Sequence, residues 1–148
     1  MVISGKDYKL EYTVEAALCD ECVERTMNLF MAIGEAQNEQ DIKKVVSTMT
    51  DIPRTALYLF YGGLLENHSD EIKCVDDAKR LITVYFKENK DADDANFYGL
   101  LSSCLEQMKE DGFFKQIGLE QAMNQIEDEN SKTIHLNRQQ RRAKASEK

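Results

Sequence analysis

The segment Ala56-Leu57-Tyr58-Leu59-Phe60-Tyr61-Gly62-Gly63-Leu64-Leu65 sets the terms for any fold this chain can adopt. It lies in a stretch, 53–67, that is apolar nearly all round and opens on Pro53, a residue suited to the first turn of a helix. A helix without a polar face has to be covered on every side. The segment therefore predicts a central buried helix with other helices packed around it. Gly62-Gly63 would either permit a close helix crossing or end the helix early. One proline and seven glycines in 148 residues leave few helix breakers elsewhere, which favours helices over a turn-rich β architecture. The length is that of one domain, and a hydrophobic share of 42% is enough for one core.

Around this centre the patterning is legible. Residues 2–12 alternate, with Gly5-Lys6-Asp7 as a tight turn and Tyr8, Leu10 and Tyr12 on one face, which predicts a small β-hairpin. A lone hairpin is marginal in water and needs helices or a second subunit to dock on. Thr13 is a good N-cap for a helix over 14–36. Leu18, Cys22, Leu29 and Ile33 form its apolar stripe, with Cys19, Val23, Met27 and Phe30 beside it. A second helix starts at Asp41, carries Ile42, Val45, Val46 and Met49, and is expected to stop at Asp51-Ile52-Pro53. After the central segment, Asn67–Asp70 reads as a loop. Residues 76–88 form a helix capped by Asp76 or Asp77, with Ala78, Leu81, Ile82, Tyr85 and Phe86 inward. Residues 94–116 form the last strong helix, interrupted by Gly112 before Phe113-Phe114. The expectation is a mainly α fold of five or six helices in one domain, with a short N-terminal β-hairpin and a disordered basic C-terminal tail. The divisions are 1–118 for the hairpin and helical domain, 119–134 for a weakly helical acidic extension, and 135–148 for the basic flexible tail.

The net charge is −8, but it is unevenly spread. Arg138, Arg141, Arg142, Lys144 and Lys148 face only Glu147 in the last thirteen residues, so the body is more acidic than the whole. An acidic body repels phosphate and anionic membrane. The tail has no aromatics on which bases could stack. Nucleic acid is not an expected partner, and no stretch approaches the ~18 apolar residues of a transmembrane helix. Met1–Asp7 lacks the apolar region of a signal peptide, and four cysteines are too few for a disulfide scaffold, so reduced thiols in a cytosolic protein are expected.

Candidate chemistry is sparse. Cys19-Asp20-Glu21-Cys22 is a CxxC, which could be a redox pair or half a zinc site. A redox pair sits at a helix N-terminus, where the thiol pKa falls. Cys19 is expected well inside the 14–36 helix, with Asp20 and Glu21 opposing ionisation. Cys74, Cys104, His68 and His135 are too scattered to complete a metal set, so both thiols read as small hydrophobes of a buried face. His68-Ser69-Asp70 cannot adopt triad geometry as neighbours in sequence, and His68 reads as a solvated loop histidine. Asp91, Asp93 and Asp94 lack the glycine and the distal glutamate of a calcium loop. Gly62-Gly63 lacks a phosphate-loop context. No catalytic constellation converges, and the expected function is binding, with no cofactor or metal.

The layout resembles that of the tail assembly chaperones of long-tailed bacteriophages, above all those infecting Gram-positive hosts. The likeness is carried by the opening Ile3-Ser4-Gly5-Lys6-Asp7-Tyr8-Lys9-Leu10-Glu11-Tyr12-Thr13, by acidic helices strung around Ala56–Leu65, and by the closing Leu136-Asn137-Arg138-Gln139-Gln140-Arg141-Arg142-Ala143-Lys144. It covers most of the chain as a plan rather than as a diagnostic motif. The resemblance implies a protein that binds the long helical tape-measure protein before the tail tube polymerises, keeps it soluble in the cytoplasm of the host, and is absent from the finished virion. Such proteins often share an N-terminal domain with a frameshift-extended form. Self-association is expected, because the central helix carries more apolar surface than one small subunit covers. Candidate contact residues are Tyr58 and Tyr61 of the central segment, Phe113 and Phe114 beyond the last strong helix, and Arg138, Arg141 and Arg142 of the tail. The rival readings are a small acidic helical adaptor or regulator and a CxxC metal or redox protein.

Overall fold

The computed structural model of the chain describes residues 1–38 and 42–120, the side chains of 34–49 excepted. Met1–Ile117 form one compact unit, and Gly118 opens a second. The extension and tail expected from 121 onward, with Arg138, Arg141 and Arg142, lie outside the described residues.

The fold is mainly helical, with a two-stranded antiparallel hairpin at the N-terminus. Strand β1 (Val2–Ile3) pairs with β2 (Lys6–Asp7), Val2 opposite Asp7 and Ile3 opposite Lys6. The turn is Ser4-Gly5, both at positive φ (51° and 76°). Left-handed conformations at both central residues match the twist of a two-residue hairpin. The hairpin is thus shorter and earlier than the patterning predicts, and Tyr8–Tyr12 lie beyond it. Their alternation still has its expected effect, because Tyr8 and Tyr12 are buried while Lys9 is exposed. What replaces a partner strand is a helix: Glu11 N–H donates to the Gly63 carbonyl at 2.8 Å.

Six helices follow among the described residues: α1 (Val14–Leu18), α2 (Asp20–Asn38), α3 (Ile42–His68), α4 (Val75–Glu88), α5 (Phe97–Glu110) and α6 (Phe113–Gln116). Two expectations are corrected here. The helix expected over 14–36 is broken at Cys19, whose ψ of 99° is extended. Its carbonyl accepts from Val23 N–H, so Cys19 leads directly into α2. The stop expected at Pro53 does not occur, and α3 runs through it for 27 residues. Proline removes one backbone donor and crowds the preceding turn. Here α3 packs against α1, α2, α4 and α5, and that contact outweighs one lost hydrogen bond.

Helix α3 is the axis of the core. Ala56, Leu59, Phe60 and Leu64 are buried in it, against Cys22, Leu29, Ala78, Ile82, Leu100, Leu101, Cys104 and Met108 from its neighbours. Gly62 and Gly63 serve the close crossing rather than a helix end. A Cβ on Gly62 would stand 2.6 Å from Cys22 Sγ, and one on Gly63 would stand 2.7 Å from the Tyr12 ring. Tyr12 is fully buried. Its hydroxyl donates to the Leu59 carbonyl at 2.9 Å, and its N–H donates to Asp111 Oδ2 at 2.7 Å. A carboxylate at the end of α5 opposes the helix dipole, and this tether to the N-terminal segment explains its presence.

Two further helix starts differ in detail from expectation. Helix α4 is capped by Cys74, and Asp77 reaches back from the first turn to accept from the N–H groups of Lys73 (3.0 Å) and Cys74 (3.2 Å). That is the reciprocal logic of a capping box. Helix α5 starts three residues later than expected, where Asn96 Oδ1 accepts from Tyr98 and Gly99 N–H. Such a cap contributes about 1 kcal/mol.

Candidate partner-binding surfaces

The sequence-derived contact residues meet different fates. Phe113 is corrected outright: it is fully buried, edge-on to Tyr12 with ring centroids 5.8 Å apart. Gly112, with φ 71°, turns the chain back after α5 and drives Phe113 into the core. Phe114 is half-buried on the other side and meets Phe30 of α2 edge-on at 5.3 Å. Tyr58 and Tyr61 are half-buried, and the Arg25 guanidinium lies 5.5 Å from the Tyr58 ring while pairing with Asp51 at 2.8 Å. Burial holds the Tyr61 phenol above its ordinary value. Of the four described candidates, Phe113 is enclosed and Tyr58, Tyr61 and Phe114 are each half-covered.

The apolar side chains that do face solvent are others. Val14 and Leu18 of α1 are 63% and 72% exposed, and Met27 and Met31 of α2 are 37% and 58% exposed. Each pair has i,i+4 spacing and so shares one helix face. Leu18 and Ile33 were expected inward. The break at Cys19 separates Leu18 from the α2 face that buries Cys22 and Leu29, and Ile33 stays 40% exposed.

A second feature is a groove between α3 and α4, closed at one end by Phe97 of α5. Leu57, Ile82, Phe86 and Phe97 form its apolar floor, and its volume is about 710 Å³. Phe86 and Phe97 meet edge-on at 5.0 Å. Arg54, Lys79, Lys87 and Lys90 stand around it. The signal was present in the sequence of an acidic chain as lysines at i and i+8 on α4 and at i+11 just beyond its end.

Of the two CxxC thiols, Cys22 is buried as expected and Cys19 only half-buried. Cys19 does stand at the start of a helix, contrary to expectation, and the N–H groups of Cys22 and Glu21 favour its thiolate. Burial outweighs them, and with Glu21 and Asp20 nearby the thiol is raised. Burial also pushes Cys22 far above the ordinary thiol range, and Cys104 up to about 12. Reactive thiols need the opposite shift. All four cysteines are free, and no group of three or more His, Cys, Asp or Glu among the described residues could hold a metal ion. His68 is not a solvated loop residue. It ends α3, accepts from Lys9 N–H through Nε2 at 3.1 Å, and lies 5.1 Å from the Tyr8 ring. No described helix is long and apolar enough to cross a membrane. No known protein family, curated protein or solved structure matches the chain.

Proposed function

We propose that this protein is a tail assembly chaperone of a long-tailed bacteriophage. It binds the tape-measure protein in the host cytoplasm, keeps it soluble while the tail is built, self-associates, and leaves before the virion is complete. The sequence layout supports this reading. The observation that carries it is the exposed pair Met27 and Met31 on α2, with Val14 and Leu18 exposed on α1. Methionine is unbranched and polarisable, so it adapts to irregular apolar faces. A long helical client exposes many such faces and aggregates unless they are covered. The net charge of −8 keeps the carrier itself soluble.

The test is co-expression with a helical tape-measure segment, scored by soluble yield and co-purification. The wild-type chain is expected to bring the segment into solution. Met27→Lys/Met31→Lys is expected to lose that effect while keeping its helical circular dichroism, since both side chains reach the surface of α2. A segment that stays insoluble beside folded wild-type protein would sink the chaperone reading and leave an adaptor of a compact partner in its place.

A further inference from the structure

The α3–α4 groove joins an apolar lining to Arg54, Lys79, Lys87 and Lys90, and the exposed methionines of α2 take no part in it. We infer that it is a docking site for an acidic amphipathic helix of a partner protein.

The floor supplies the apolar half of the argument. Ile82 is buried, and Leu57, Phe86 and Phe97 are half-buried, so each of the three keeps a face open to the groove. An amphipathic helix presents side chains at i, i+3, i+4 and i+7 to a depression of this kind. The rim supplies the charge. Lys79 and Lys87 stand on α4, Lys90 follows in the turn after it, and Arg54 stands on α3. Among the described residues none of the four has a carboxylate within ion-pair distance. Two carboxylates of α4 are engaged elsewhere. Glu88 accepts from Ser4 N–H and Oγ at 2.9 Å, and Asp77 holds the start of α4 and pairs with Arg80. Among the described residues of this chain of net charge −8, four cations without an ion pair thus surround one apolar groove.

The geometry selects a helix over a compact anion. Eight residues separate Lys79 from Lys87, which is about 12 Å along α4, or two turns of a partner lying beside it, and Lys90 follows in the turn after the helix. A small ligand would meet one or two of these cations, whereas a helix with Asp or Glu on both flanks of an apolar stripe meets all of them. Nucleic acid and anionic lipid would face the same cations but also the acidic body around them.

The test uses the full chain and two fluorescent synthetic peptides of about 15 residues, with leucines at helical i, i+3, i+4 and i+7 spacing. One carries glutamate at the remaining positions and the other lysine. In fluorescence anisotropy the glutamate peptide is expected to bind at least about tenfold more tightly than the lysine peptide, and to weaken as salt is raised. Phe86→Asp should abolish binding. Because Phe86 also packs against Phe97, the exposed pair Lys87→Glu/Lys90→Glu is the deciding variant: it should keep the fold and reverse the peptide preference. Absence of binding, equal binding of both peptides, or a preference unchanged in that variant would overturn the inference. So would a change in oligomeric state of the variant without peptide binding by the wild type, which would make a second copy of this chain the occupant. Neither result bears on solubilisation of a tape-measure segment, which is read separately.

Discussion

Replacing Gly63 by alanine isolates the contact on which the N-terminal segment depends. In an isolated helix the change would be favourable by about 1 kcal/mol, since glycine is the poorer helix former. In α3 the added Cβ meets the Tyr12 ring at 2.7 Å from Cζ, 2.8 Å from Oη and 3.1 Å from Cε2. The ring cannot yield freely, because it is fully buried and its hydroxyl is committed to the Leu59 carbonyl. Overpacking of this kind costs about 1–3 kcal/mol, and a displaced ring forfeits about 1 kcal/mol more with the hydrogen bond. After the propensity gain, Gly63→Ala should destabilise by about 2 kcal/mol, or lower the melting temperature by about 6–10 °C. In a Tyr12→Leu background the clash disappears while the propensity gain remains. There the same substitution should stabilise by up to about 1 kcal/mol. Urea unfolding followed by circular dichroism measures all four corners of the cycle. A neutral or stabilising Gly63→Ala in the wild-type background, or the same sign in both backgrounds, would refute the packing argument.

Three further outcomes are expected. Phe113→Ala should cost about 3–5 kcal/mol and Phe114→Ala clearly less, because only the first is fully enclosed; equal midpoint shifts in urea would contradict this. In native protein at mildly alkaline pH a thiol reagent should modify exposed Cys74 first and Cys22 and Cys104 only on unfolding, as read by mass spectrometry of labelled peptides. Stability should fall on the alkaline side. Burial raises Cys104 from 9.0 to about 12 and Tyr12 well above 10.0, so the folded molecule keeps protons that the unfolded chain has lost. The stabilisation is complete below the ordinary values and drains away above them. A urea midpoint that stays constant from the ordinary thiol value to well above the phenol value would contradict the burial of both groups.

The helical class, the buried centre and the inward face of Tyr8 and Tyr12 were legible in the sequence because each rests on local periodicity. The misses share a physical cause. Pro53 signals a stop locally, yet α3 continues because four other helices pack on it. The break at Cys19 carries no glycine or proline and comes from how α1 and α2 fit against α3. Phe113 looked exposed because it follows the last strong helix, but its burial depends on the turn at Gly112 and on Tyr12, far away in the chain. His68 reads as a loop residue until Lys9 N–H, 59 positions earlier, is found on its imidazole. Of the candidate surfaces, the spacing of Lys79, Lys87 and Lys90 was present in the sequence, but the floor they border needs three helices brought together.

The tether between Tyr12 and Asp111 spans 99 positions of sequence, and that separation imposes an order of events. On a ribosome moving at roughly 5–20 residues per second, Tyr12 is made about 5–20 s before its acceptor exists. During that interval α5 is incomplete, so the face of α3 that it covers has no partner. The nascent chain therefore passes through a stage in which its own central helix lacks cover. Docking of α5, which brings Leu100, Leu101, Cys104 and Met108 into the core with α3, is the step that ends it.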